Sequence, residues 1–246
     1  MVNDSPLGQV IALNQKHLVR KVDGAEGLPA PHLGGGVLRD VVLEQPFDGA
    51  AVGFVLACLP DGKGPVLWVQ DRSSRLENGR LYGPSLPEFG FGGTILRVEV
   101  SHARDVLWAM EEGAACGGLS AVVGEVHGAP PVLDFTATRR LALRAERSDV
   151  PVWLIRSGDP GSLSAARERW RIGSRRSGSD PYDPQASGAP VWKAELFRAR
   201  GRSPGSWEVH HDRSALDPAD RLRFLSRSGD GSLAADHDAT ADIARG

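Results

Sequence analysis

Cysteine is scarce: two in 246 residues, Cys58 in VLACLP and Cys116 in EGAACGG, with no CxxC pair and no metal-ligand spacing. The expectation is two reduced, mostly buried thiols of a cytosolic protein. No apolar run approaches the roughly 20 residues of a membrane span. The N-terminal MVNDSPLGQVIALNQKHLVRK lacks the basic start and long apolar core of a signal peptide, so none is expected. Catalytic patterns are missing too. No GxSxG elbow occurs, and GFGGTI lacks the glycine spacing of a dinucleotide fingerprint. His210 and His211 are adjacent, so on a strand they face opposite ways and cannot chelate one ion together, even with Asp212 nearby. Lysine is rare, 4 against 25 arginines, which GC-rich codon usage explains.

What remains is an ordinary globular composition, 41% apolar and 24% charged, in a chain long enough for one sizeable core plus tails. Strand-like and helix-like segments alternate. LGGGVLRDVVL gives a glycine turn and a strand, AAVGFVLACL a helix, and GPVLWVQD and GTILRVEV two more strands. SHARDVLWAMEEGAACGG is a helix with Ser101 able to cap it and Ala103, Leu107, Met110 and Ala114 on one face. LSAVVGEV reads as a central parallel strand buried on both faces. LDFTATRRLALRAERSDV is a helix with Arg140, Arg144 and Arg147 outward, and PVWLIRSG is the next strand. From about residue 165 the rhythm changes: RERWRIG, VWKAELFRAR and SWEVHHD follow one another as strands, the last two as a hairpin turning at GRSPG. Trp192 and Trp207 are expected to pack in the core.

The predicted fold is α/β: a mostly parallel central sheet with helices on both faces, extended by C-terminal antiparallel strands. The strands are expected at Leu38–Leu43, Val66–Val69, Ile95–Val98, Ala121–Val123 and Val152–Ile155. Residues 28–212 form the domain, 1–27 a flexible arm, and 213–246 a disordered tail poor in large apolar residues.

The junction LEQPFDGAAVGFVLACL sits where a nucleotide-binding loop belongs, between a strand and a helix. Such a loop needs a Lys for the terminal phosphates and a Ser or Thr for Mg²⁺. The positions Asp48, Gly49, Ala50, Ala51, Val52 and Gly53 supply neither: Val52 stands nearest the Lys place, and Gly53 and Phe54 follow. Glu44 and Asp48 flank the loop and would repel a triphosphate by about 1 to 4 kcal/mol each. The strand-end Asp that helps hold Mg²⁺ is replaced by Gly124, followed by Glu125. ATP hydrolysis is not expected, nor any cofactor or metal.

The motifs LGGGVLRDVV, QPFDGAAVGFVLA, LYGPSLPEFGF, LWAMEEGAACGGLSAVVGEV, LDFTATRRLALRAERSDVPVWLIR, SAARERWRI and WKAELFRARGRSPGSWEV together resemble the bacterial ImuA family over roughly residues 28–212. That resemblance implies a RecA-like core kept as a scaffold after losing its ATPase, since fold and chemistry are separable. It implies a non-enzymatic, cytoplasmic accessory role in SOS mutagenesis and translesion synthesis, nucleoid-associated when assembled. The implied partners are ImuB (a Y-family-like polymerase homologue), an error-prone replicative-type polymerase in the same complex, and RecA or DNA. An active RecA-like ATPase and a SulA-like division inhibitor are the alternatives.

Charge is uneven: residues 156–202 carry 10 basic and 5 acidic side chains, against −2 for the whole chain. Within them Arg167, Arg169, Arg171, Arg175 and Arg176 are the candidate partner- or DNA-binding residues, with Glu168 and Asp180 opposing them. On a strand Arg167, Arg169 and Arg171 share one face. The competing reading is a sheet edge protected by charge. The flexible loop that follows the strand, GSRRSGSD, lacks the aromatic residues that single-strand binders interleave with basic groups, which favours a protein partner.

Overall fold

Gly36 opens the sheet because nothing larger fits: a Cβ there would run into the backbone of Asp149, and its N–H donates to Asp149 Oδ1 at 2.8 Å. The computed structural model describes residues 35–226, except 63, 160, 181 and 216. The expectations for 1–27 and for 227–246 lie outside the described residues.

From this turn runs β1 (Leu38–Leu43), then α1 (Ala50–Cys58), β2 (Val66–Gln70) and α2 (Arg72–Asn78). A 3-10 segment (Gly83–Phe89) leads to β3 (Ile95–Glu99), α3 (Ala103–Ala114), β4 (Ala121–His127), α4 (Phe135–Ser148) and β5 (Val152–Ser157). The chain continues with β6 (Glu168–Arg175), β7 (Val191–Ala199), β8 (Gly205–His211) and β9 (Leu222–Ser226). All form one nine-stranded sheet in the order β3-β2-β4-β5-β1-β6-β7-β8-β9. Pairings from β3 across to β6 are parallel, and β6 through β9 are antiparallel. The expected α/β architecture is therefore the one observed, with each expected strand in place.

The two faces carry separate cores. Under α1 lie Val41, Val123, Ile155 and five indoles: Trp68, Trp153, Trp170, Trp192 and Trp207. Phe54 of α1 sits among them, 5.9 Å from Trp170 and 6.1 Å from Trp192 between ring centroids. Under α3 and α4 lie Leu38, Val69, Met110, Val122, Leu141 and Leu154. Alternating strand residues serve alternate cores, as a sheet buried on both faces demands. The β7–β8 hairpin turns at the expected residues, and Trp192 and Trp207 are buried.

Several expectations are corrected. α2 had no apolar periodicity to reveal it: only Ser74 of its seven residues is buried. α3 is capped by His102 without a side-chain hydrogen bond, not by Ser101. Ordered structure passes residue 212, because β9 pairs with β8 and Phe224 packs 6.0 Å from Trp207. Cys116 is exposed and Cys58 half-buried, both free. Most consequentially, β6 is an interior strand between β1 and β7, so the charge-protected-edge reading fails.

Candidate functional site

The loop between β1 and α1 is tied down by its own carboxylates. α1 starts at Gly49 with no side chain to cap it, and a helix start leaves N–H groups that anions normally meet. Here Asp48 meets one: its Oδ1 accepts from Ala50 N–H at 2.9 Å. The same carboxylate accepts from Ser174 of β6, through the backbone N–H at 2.7 Å and Oγ at 2.6 Å. Glu44 does likewise one turn earlier, pairing with Arg175 at 2.9 Å and Lys193 at 2.8 Å. Those hydrogen bonds hold its carboxyl down at about 2. Phe47 pokes outward at 73% exposure with φ of +60°, a conformation few non-glycine residues adopt. Loop, β6 and β7 are thus stapled by the acids that sequence reasoning assigned to repelling phosphate.

Beside α1 a cleft of about 240 Å³ lies over the C-terminal ends of β2 and β4, where open α/β sheets commonly bind ligands. Val52, Gly53, Gln70, Arg80, Phe89 and Glu125 line it. The strand-end position needs correcting. Gly124 faces α3, where an added Cβ would collide with Met110, so the residue on the cleft side is Glu125. An acid does stand there, but Trp68 Nε1–H donates to its Oε1 at 2.6 Å and burial pushes its carboxyl up to about 7. Arg80, at the rim, is held by Glu99 at 2.8 Å. The cleft therefore offers phosphates no free cation among the named lining residues, and a partly neutral acid where a Mg²⁺ ligand would stand.

The five arginines do not act together. Arg169 is only 5% exposed and lies 3.4 Å from the buried Asp40. Arg171 pairs with Glu195 at 3.0 Å, and both guanidiniums sit over Phe197, at 5.1 and 4.9 Å. Arg175 is engaged by Glu44. Arg167 and Arg176 remain exposed. The shared face expected for Arg169 and Arg171 is real, but β7 and β1 neutralise it; Arg167 precedes the strand.

Sequence reading missed the network around Asp40 altogether. Arg156 of β5 pairs with Asp40 at 3.1 Å and Asp159 at 3.1 Å, with all three side chains fully buried. Burial pushes the Asp40 carboxyl up, and the Arg156 charge opposes that push. The available signal was a charge inside each apolar strand, in LRDVVL and VWLIRS.

Among the described residues, no group of three or more His, Cys, Asp or Glu is placed to hold a metal. No described helix is long and apolar enough to cross a membrane.

These features define a class: an open, mostly parallel α/β protein whose strand–loop–helix unit is closed by its own carboxylates. No family model matches the chain. It is 33% identical over 208 residues to Protein ImuA of Caulobacter vibrioides (strain NA1000 / CB15N), covering 78% of this chain and 80% of that protein. The same figures hold for Protein ImuA of Caulobacter vibrioides (strain ATCC 19089 / CIP 103742 / CB 15). The chain belongs to the ImuA family.

Proposed function

We propose that this protein is a non-catalytic accessory component of damage-inducible translesion synthesis, a RecA-like scaffold that works by binding proteins in the cytoplasm. Family membership supplies the mutagenesis context, and ImuB is the leading partner, with the error-prone polymerase in the same complex. One observation carries the non-catalytic half: Asp48 occupies the N-terminal end of α1 and ties it to Ser174. A phosphate there would have to displace or abut that carboxylate, with Val52 in place of the lysine that would compensate.

Calorimetry with Mg-ATP, run beside co-purification with ImuB, tests both halves. Absence of nucleotide binding together with a stable ImuB complex is the expected result. Micromolar ATP affinity or turnover would refute the non-catalytic half, and failure to bind ImuB the other. Of the five candidate arginines only Arg167 and Arg176 are exposed, so that set can neutralise two phosphates rather than five. Its contribution to any DNA log–log salt slope is expected at roughly −1.4 to −1.8.

A further inference from the structure

The outer face of α4 has a second amphipathic surface that the fold leaves uncovered. One side of the helix, with Ala137, Leu141 and Ala145, is core. A second side faces α3, where Arg140 pairs with Glu111 at 2.9 Å and Arg144 approaches Glu112 at 4.0 Å. The third side carries Phe135, Arg139, Leu143 and Glu146, spaced four, four and three residues apart, so they form one stripe. That stripe borders a groove of about 540 Å³, closed opposite by Arg167 before β6 and Arg200 at the β7–β8 turn. Phe135 is 43% exposed and Leu143 47%. Among the described residues no ion pair involves Arg139, Arg167 or Arg200.

We propose that this groove is a docking site for an acidic amphipathic segment of a protein partner, apolar side chains on Phe135 and Leu143 and carboxylates on the three arginines. The inference rests on the scaffold reading above and names its surface. Charge complementarity selects the occupant: three guanidiniums face a single carboxylate, Glu146, and Arg suits planar pairing with carboxylates. Half-exposed apolar side chains between the charges fit a protein better than a phosphate backbone, which has nothing apolar to set against them. Arg167, chosen from sequence for a different reason, belongs to this groove.

The experiment uses the full chain and purified ImuB, with affinity measured by calorimetry. Arg139→Glu/Arg200→Glu and, separately, Leu143→Ser change exposed positions; Arg104→Glu, on α3 and outside the groove, is the control. Unaltered Tm verifies folding. The expected result is a loss of at least tenfold for the charge reversal, a severalfold loss for Leu143→Ser, and no change for the control. Wild-type affinity in both groove variants overturns the groove and leaves the scaffold reading standing. No binding by the wild-type chain overturns both. Loss of duplex-DNA binding on charge reversal, with ImuB binding unchanged, assigns the groove to nucleic acid and overturns the proposal.

Discussion

Glu125 shows how one side chain can keep its residue type and lose its availability. Its folded carboxyl titrates at about 7, against an ordinary glutamate value near 4.3, because burial disfavours the charged form. Between those values the unfolded chain releases its proton while the folded chain holds it, so folding loses stability as pH rises from about 4.5 to 7. The shift corresponds to a cost on the order of 3 kcal/mol above pH 7, absent below pH 4. Glu125→Gln keeps an acceptor for Trp68 and removes the charge. Thermal unfolding should show the variant more stable than wild type at pH 8 and indistinguishable at pH 4; equal Tm values at both would contradict this origin of the shift. Arg156 poses the opposite problem, a charge that cannot be removed alone. Arg156→Met would leave Asp40 buried with Arg169, 3.4 Å away, as its cationic partner and the Ser164 hydroxyl as its neutral one. Urea unfolding should register a loss of about 3–5 kcal/mol, the usual cost of breaking one side of a buried pair.

Elements with apolar runs were legible in the sequence, since short stretches rich in Val, Leu, Ile and Trp between turn residues, such as VLWV, leave few alternatives to a buried strand. β1 begins and ends where expected, and β4 and β5 run only a few residues further. α2 was not legible, because RSSRLEN buries one serine and is held instead by its cap, Asp71 accepting from Ser74 N–H at 2.7 Å. β6 was legible as a strand but not as an interior one. Its neighbours are β1 and β7, and periodicity carries no information about which strands pair. The candidate site suffered most from that gap: Arg169 and Arg175 were recognised, while Asp40 and Glu44, about 130 residues away, were not read as their partners. The loop–helix element supports its own prediction. Val52→Lys should give no ATP turnover in a phosphate-release assay, because Asp48 still fills the helix end and Glu125 remains bonded to Trp68. Hydrolysis by that single variant would mean that the loop's acids yield to nucleotide.

At the scale of the molecule, the parallel and antiparallel halves share one core rather than meeting at a seam. Phe54 of α1 touches Trp153 in the parallel half at 6.5 Å, Trp192 in the antiparallel half at 6.1 Å, and Phe224 of β9 at 6.5 Å. Aromatic contacts of this kind add to the burial of large apolar area, and they cross every boundary at which the chain could be divided. Two consequences follow from that continuity. Tryptophan fluorescence and far-UV circular dichroism should report a single coincident unfolding transition, as a cooperative unit requires. Shortening the chain to residue 212 should be more damaging than the polar sequence around β9 suggests. It removes Phe224 from Trp207 and Phe54, removes Arg221, which bonds Asp61 and the Leu59 carbonyl, and bares the β8 edge. Phe224→Ala separates the packing from the edge effect. Phe224 is only partly buried, so its loss should cost about 2 kcal/mol. The truncation should cost clearly more, and it should aggregate where the point variant stays monodisperse, since a long unpaired strand edge templates association. Equal stability and solubility for the 212-residue chain and the full chain, measured by urea unfolding and light scattering, would show that β9 contributes nothing to the sheet.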